Sequence, residues 1–355
     1  MSLLSSSAKE KFGDGEKCQT MEDHVSRIVE GRRDTDEKTL VEALAQLRRI
    51  ESVGEIGNRV GALTDALLDV FCSTTSRVSK SVSAVILSAL AVNFGPRFGD
   101  LARGVCAAVK AELSRSPDAC PIGFVCAAVI SVLSGAANGE LLDLYAEILT
   151  RRSSVFYVQT ITSILLGVEL LVAVCEPMLV DGQRLVESVS PMLGSKQPDI
   201  VVRVFEVLEV VHERVEGVRG ELVALVEGFE ARFEKKAVNK RVLSSRNRTL
   251  KAFGSGVQPL DLAIEEQRVR VADVGGIVLI RALKEIFGAS FTAVMSQNPY
   301  LASRYGYSAT ARLETKECKR EKKERTERTR VVSDKERKMG RDKERRRKSE
   351  RMDSG

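Results

Sequence analysis

The side chains that most often carry out catalysis or bind metals are sparse in this sequence. Neither of its two histidines, His24 and His212, has an acidic or cysteine neighbour at the spacing of metal ligands. The stretch GSGVQP at 254–259 lacks the lysine and the preceding strand of a phosphate-binding loop. We therefore expect no enzymatic activity, no metal and no cofactor, and we interpret the chain as a binding protein.

Seven cysteines are scattered through the chain without the paired spacing of a zinc or redox motif. Most fall within apolar helical patterns, which indicates buried, reduced thiols in an intracellular protein. They are Cys18, Cys72, Cys106, Cys120, Cys126, Cys175 and Cys318.

The apolar residues recur at three- and four-residue steps, which is the periodicity of amphipathic helices. Residues 77–113 show the pattern most clearly, because one apolar stripe ends near 93–95 and Pro96 starts a second one. Neither helix of such a pair can bury its stripe alone, so each pair requires neighbours of the same kind. The pattern predicts an all-α fold.

This two-helix plan repeats along the chain at steps of 40, 44, 34 and 44 residues. The steps are close to the HEAT period of roughly 40–47 residues and predict a HEAT-repeat α-solenoid, with a non-repeating helical bundle as the alternative. The second helix of each pair is predicted to begin near Glu37, Arg77, Pro121, Val155 and Asp199.

Composition divides the chain into five predicted segments. The last one, 312–355, is of low complexity and holds 19 Lys and Arg against 11 Asp and Glu, which is typical of a disordered basic tail. The others are a disordered N-terminus at 1–19, a helical domain at 20–236, a polar linker at 237–272 and a short helical segment at 273–311. We expect the short helical segment to cap the solenoid, or alternatively to dock on a partner.

One apolar run, 155–175, is long enough to span a membrane. Glu169 lies within the run, and a central carboxylate costs roughly 2.5–3.5 kcal/mol on insertion scales. Several polar residues dilute the run further. We therefore expect no membrane partner.

Four stretches carry a resemblance to a known family. They are TLVEALAQLRRI, SRVSKSV leading into LAVNFGPRFGDLARGV, ILTRRSSVFYVQTITSIL, and SKQPDIVVRVFEVLEVVHERV. In this order and spacing, residues 21–236 resemble the TOG domain of the CLASP family of microtubule-associated proteins. The resemblance implies a TOG-like array of HEAT repeats that binds tubulin through the turns within each helix pair.

On this sequence those turns are 32–37, 73–79, 114–121, 151–154 and 195–199. Each turn carries or adjoins a cation. If these cations share one edge, they favour an acidic partner. The alternative is that they are ordinary solvated surface, because turns are polar in most proteins. The expected tubulin-binding residues are Arg32, Arg33, Glu37, Arg77, Lys80, Arg115, Arg151, Arg152 and Lys196.

The sequence departs from the family pattern at Glu37, where the family usually has a tryptophan that contacts tubulin. The Ser-x-Ile-Pro motif for recruitment by end-binding proteins is also missing from the linker and tail. Since an interface tryptophan can contribute 2 kcal/mol or more, its absence implies weaker tubulin binding, a rearranged contact or a different partner.

The expected function is regulation of microtubule dynamics, in the cytoplasm and on the cytoskeleton and spindle during cell division. The basic tail is expected to aid attachment to the microtubule lattice. The alternative is a HEAT-repeat scaffold in RNA processing or ribosome assembly, located in the nucleus, with RNA bound through the tail. A transport adaptor is disfavoured because the array is short, and the oligomeric state stays open.

Overall fold

The computed structural model describes residues 21–47, 56–135, 139–152, 156–229 and 239–309. Helices dominate this part of the chain, with one two-stranded hairpin, so the predicted all-α class is confirmed. The predictions for the N-terminal segment 1–19 and the tail 312–355 lie outside the described residues.

The helices before residue 256 alternate between two rows. The outer row contains α1 (Met21–Gly31), α3 (Val60–Ser73), α5 (Gly99–Arg115), α7 (Gly139–Arg152), α9 (Gly182–Val189) and α11 (Arg219–Glu227). The inner row contains α2 (Glu37–Leu47), α4 (Arg77–Phe94), α6 (Pro121–Ser134), α8 (Val158–Val174), α10 (Pro198–Arg214) and α12 (Lys240–Ser255). Each inner helix contacts the next one in the row and the outer helix that precedes it in the chain.

Local signals explain where the inner helices begin. The side chain of Asp36 accepts a hydrogen bond from the Thr39 N–H at 2.7 Å, and Ser76 accepts one from the Ser79 N–H at 3.2 Å. Such caps satisfy backbone donors in the first turn of a helix. The predicted starts at Glu37, Arg77 and Pro121 are confirmed, while α8 and α10 begin at Val158 and Pro198 instead of Val155 and Asp199.

The inner helices α6 and α8 are buried on nearly every side, as expected for helices that lack a polar face. The outer row packs on one side of them, where Tyr145 of α7 is fully buried and its hydroxyl donates to the Phe124 carbonyl oxygen at 2.6 Å. Burial on the opposite side comes from the C-terminal part of the chain.

We call residues 260–309 the C-terminal cover. It contains the antiparallel strands β1 (Leu260–Ile264) and β2 (Gln267–Val271), followed by α13 (Val274–Phe287), α14 (Phe291–Gln297) and α15 (Pro299–Tyr305). Helix α13 packs on α6 and α8, and α15 packs on α4. The amide of Asn298 donates to the Val92 carbonyl at 3.2 Å and to Asn93 Oδ1 at 3.0 Å, which fixes the cover at the end of α4.

The predicted polar linker at 237–272 is therefore wrong over most of its length. Residues 240–255 form the last inner helix, where Val242 and Ala252 are buried, and residues 260–271 form the hairpin. The segment predicted at 273–311 contains three helices that cover the middle of the inner row rather than cap its end. One compact unit extends to Ala309, beyond the predicted boundary at residue 236.

The helical run from Arg77 to Arg115 is long and apolar enough to cross a membrane by length and composition alone. It is 78% buried over its most apolar window, as core helices are, so this is weak evidence of a membrane span. Residues 158–174 of the apolar run noted in the sequence form the buried helix α8.

Candidate functional site

The turns that lead into the inner helices lie along one edge of the two rows, and we call them the turn edge. The described residues of this edge are 32–37, 73–79, 114–121, 151–152, 156–157 and 195–199. Side-chain contacts join several neighbouring turns, so part of the edge is a continuous surface.

At the first two turns, Arg32 Nη1 lies 3.3 Å from Asp69 Oδ2, near the end of α3. Arg32 has a φ of +42°, a value that residues other than glycine rarely adopt. Arg115 of the third turn donates from Nη2 to the Cys72 carbonyl oxygen at 3.4 Å, next to the second turn. The first and third turns therefore each contact the C-terminal part of α3, which leads into the second turn.

The third turn also contacts the fourth through Asp118. Its Oδ1 accepts hydrogen bonds from Thr160 Oγ1 at 2.5 Å and from the Tyr157 N–H at 3.4 Å. The guanidinium of Arg77, from the second turn, lies 5.8 Å from the centroid of the Tyr157 ring, within the range of a cation–π interaction. Arg77, Asp118 and Tyr157 thus connect three turns.

Further along the edge, Arg241 at the start of α12 forms an ion pair with Asp199 at 2.5 Å between Nη1 and Oδ1. This contact brings α12 into the edge. The sequence had placed Arg241 in a linker, because the exposed face of α12 is polar and basic.

Most of the predicted cations are exposed on this edge. Arg32, Arg115 and Arg151 pair with the carboxylates of Asp69, Glu112 and Glu147 respectively. Arg33, Arg77 and Lys196 are exposed, and within the described part of the chain they form no ion pair. These three cations are therefore the best placed to attract an acidic partner.

The expectation that Lys80 is an exposed cation is wrong. Its side chain is only 6% exposed, and it forms an ion pair with Glu112 of α5. The ammonium lies 5.7 Å from the centroid of the Phe71 ring. Lys80 is in the first turn of α4 but its ammonium meets Glu112 of the outer row, and removing either partner of this buried pair would leave an uncompensated charge.

Two predicted tubulin-binding residues remain, Glu37 and Arg152. Glu37 is exposed in the first turn of α2. The side chain of Arg152 lies outside the described residues, as do residues 153–155 of the fourth turn.

Sequence reasoning missed Tyr157, which lies within the apolar run 155–175. The side chain is exposed at the residue that precedes α8, next to Arg77. An aromatic residue in a predicted helix-start turn was the signal that could have identified it.

Outside the turn edge, the titratable groups with shifted pKa values are packed against other side chains, which suits a structural role better than a catalytic one. Burial raises the pKa of the Cys106 and Cys120 thiols to about 11, so both are protonated at neutral pH. Burial also lowers the pKa of His24, whose Nδ1 lies 4.0 Å from Glu42 Oε2, and of His212, which stacks on Phe253. In the part of the chain that the structure describes, no group of three or more potential ligands could hold a metal ion.

Comparison with protein-family models finds no match, and comparison with curated proteins finds no significant similarity.

Proposed function

We propose that this protein binds tubulin through the turn edge and thereby regulates microtubule dynamics. The observation that carries the proposal is the series of helix-start turns, with Arg33, Arg77 and Lys196 exposed along it and side-chain contacts joining the second, third and fourth turns. The outer surface of tubulin is acidic, so such an edge can steer the two proteins together.

The arrangement of the helices supports the same proposal. Paired helices that stack in two rows are the arrangement of HEAT solenoids, and the resemblance to the TOG domain of the CLASP family rests on residues 21–236 of these rows. The C-terminal cover occupies the free side of α4, α6 and α8. A partner of this region is therefore expected at the turns rather than on the covered helix faces.

Glu37 weakens the attraction of the first turn for an acidic partner. An exposed carboxylate in the first turn replaces an apolar anchor and repels an acidic surface, so we expect the later turns to contribute more of the affinity. In this proposal the protein acts in the cytoplasm, on microtubules and the spindle.

The second candidate is a HEAT-repeat scaffold that binds RNA, with the nucleus as its location. Helix α12 is rich in cations, but Arg241 and Arg248 form ion pairs with Asp199, Glu206 and Glu209. This partial neutralisation lowers the attraction of α12 for a polyanion, so the tubulin proposal takes precedence.

The test compares two triple variants of the full-length protein in tubulin binding, measured by isothermal titration calorimetry, and in microtubule co-sedimentation. In the edge variant, Arg33, Arg77 and Lys196 are each replaced by Glu. In the control variant, the exposed residues Arg27, Arg97 and Arg103 of the outer row and its turns are each replaced by Glu. Both triples change the net charge equally.

We expect the edge variant to lose tubulin binding and the control to keep it, with both melting close to the wild-type protein, because exposed substitutions change stability by about 0.5 kcal/mol or less. Equal loss in both variants would indicate a nonspecific effect of net charge. An RNA pull-down of the same proteins tests the second candidate. RNA binding without tubulin binding would replace the first proposal with the second.

A further inference from the structure

The turn edge contains an exposed aromatic side chain that the packing of the protein does not require. Tyr157 is 63% exposed, and Val78, which follows Arg77 in the chain, is 44% exposed. The other large apolar side chains that are exposed within the described residues are Met178, at 86%, and Leu179, at 57%, just beyond the opposite end of α8. Exposed apolar area therefore occurs at both ends of α8, and at the Tyr157 end the guanidinium of Arg77 lies within cation–π range of the ring.

Two contacts hold Tyr157 in place. Its N–H donates to Asp118 Oδ1 at 3.4 Å, and the same carboxylate oxygen accepts from Thr160 Oγ1 at 2.5 Å, which fixes the backbone at the start of α8. The Arg77 guanidinium lies 5.8 Å from the ring centroid, within the range of a cation–π interaction.

We propose that Tyr157 is the central anchor of the turn edge and that Arg77 and Val78 form its immediate surroundings. Tyrosine and arginine are enriched among the few residues that carry most of the energy of protein interfaces. The inference rests on the proposed function and specifies which residues of the edge supply most of the affinity for tubulin.

The chemistry of this anchor defines what the partner must present. The ring and Val78 fit an apolar recess, while at its rim the Arg77 guanidinium fits a carboxylate and the Tyr157 hydroxyl fits a hydrogen-bonding group. A site of this kind on an acidic folded protein such as tubulin fits the anchor. A nucleic acid would bind the neighbouring cations without needing the apolar recess.

The experiment measures the affinity of full-length protein for purified tubulin by isothermal titration calorimetry. The variants are Tyr157→Ala, Tyr157→Phe and Arg77→Gln, with Met178→Ala as the matched control, because it removes a more exposed apolar side chain at the other end of the same helix. Thermal melting checks that each variant is folded.

We expect Tyr157→Ala to weaken binding about 30-fold, which corresponds to about 2 kcal/mol. Tyr157→Phe keeps the ring and should weaken binding less than about fivefold, which is the scale of one net hydrogen bond. Arg77→Gln removes the charge and the contact with the ring, so its effect should lie between these two and shrink at high salt. Met178→Ala should bind like the wild-type protein.

The outcomes separate this inference from the proposed function. If wild-type protein binds tubulin and Tyr157→Ala binds as tightly as Met178→Ala, the anchor is wrong and the proposed function stands. If the wild-type protein does not bind tubulin, both are wrong.

Discussion

Arg281 of α13 donates from Nη1 to Glu169 Oε1 of α8 at 2.6 Å, across 112 residues of sequence. Glu169 is fully buried in the middle of the inner row, and its second oxygen lies 3.6 Å from Nη1 of Arg203 on α10. Burial raises the pKa of the Glu169 carboxyl to about 7, although both arginines favour the ionised form. The C-terminal cover is therefore joined to the inner row by an ion pair at the core of the protein.

Replacement of Arg281 by Met should destabilise the protein more strongly at high pH. Removing one partner of a buried ion pair costs about 3–5 kcal/mol when the remaining charge stays ionised. At pH 6 the Glu169 carboxyl can take up a proton, so the loss of stability should be small. At pH 8.5 the carboxyl stays ionised, and the loss should approach about 3 kcal/mol. Urea unfolding at the two pH values measures the difference, and a cost independent of pH would contradict it. The Arg281→Met, Glu169→Leu double variant, which leaves no charge at this contact, should recover much of the loss.

The pKa of Glu169 also predicts how wild-type stability depends on pH. The folded-state pKa of about 7 exceeds the ordinary value of 4.5, so the folded protein holds a proton that the unfolded chain releases between these values. The contribution of Glu169 to the free energy of unfolding is greatest below pH 4.5 and is lost as the pH rises to 7, by up to about 1.4 kcal/mol per pH unit. Glu169→Gln should lack this slope, as measured by urea unfolding between pH 5 and pH 8 buffers. Parallel pH profiles for the two proteins would show that Glu169 does not titrate in this range.

A fragment that ends at residue 236 should fold poorly, whereas one that ends at residue 309 should fold well. The shorter fragment lacks α12 and the C-terminal cover, and so exposes apolar surface of α4, α6, α8 and α10 that these elements bury. Large exposed apolar patches promote association and loss of fixed packing. Gel filtration and thermal melts monitored by circular dichroism compare the fragments. A monomeric short fragment that melts cooperatively at the temperature of the longer one would show that the cover is dispensable.

Gly95→Ala should destabilise the protein more than Gly288→Ala does. The two glycines have similar backbone angles, φ +53° and ψ −133° against φ +50° and ψ −124°, so both substitutions strain the backbone to a similar extent. A Cβ at Gly95 would lie 2.9 Å from the Tyr300 ring of the cover, whereas nothing lies within 4 Å at Gly288. We expect an additional cost of roughly 1–3 kcal/mol at Gly95, measured by urea unfolding. Tyr300→Ala in the Gly95→Ala background should remove the steric part of this cost.

Deletion of residues 310–355 should weaken binding to microtubules much more than binding to free tubulin dimers. This segment holds 19 Lys and Arg against 11 Asp and Glu, whereas the rest of the chain holds slightly more acidic than basic residues. A lattice offers many acidic sites to one tethered chain at high effective concentration. Raising the salt from about 0.05 to 0.2 M should reduce lattice binding of the intact protein toward that of the deletion variant. Co-sedimentation measures both effects. Full lattice affinity together with lost RNA binding in the deletion variant would favour the scaffold alternative.

Local sequence was sufficient to predict the helices that begin at Glu37, Arg77 and Pro121. Apolar periodicity and caps such as Asp36 and Ser76 act within a few residues, so a single stretch of chain contains the whole signal. Helix α6 is apolar on nearly every side, which is visible in its local sequence and is typical of a helix in the interior. The cationic turns followed from these helix boundaries.

Tertiary structure alone decided which of the polar groups are exposed and what they contact. Lys80 is at a helix start like Arg77, yet Glu112 on another helix draws it into the interior. From the sequence, α12 is predicted as part of a linker and residues 273–311 as a cap. Both predictions fail because the segments that bury the apolar faces of these elements lie far away in sequence. Glu169 and Arg281 are neighbours only because the C-terminal cover packs on the inner row, and Arg77 and Tyr157 only because inner helices stack. No local pattern records either pairing. Local sequence therefore determines the helices, while packing between distant segments determines the surface that they present.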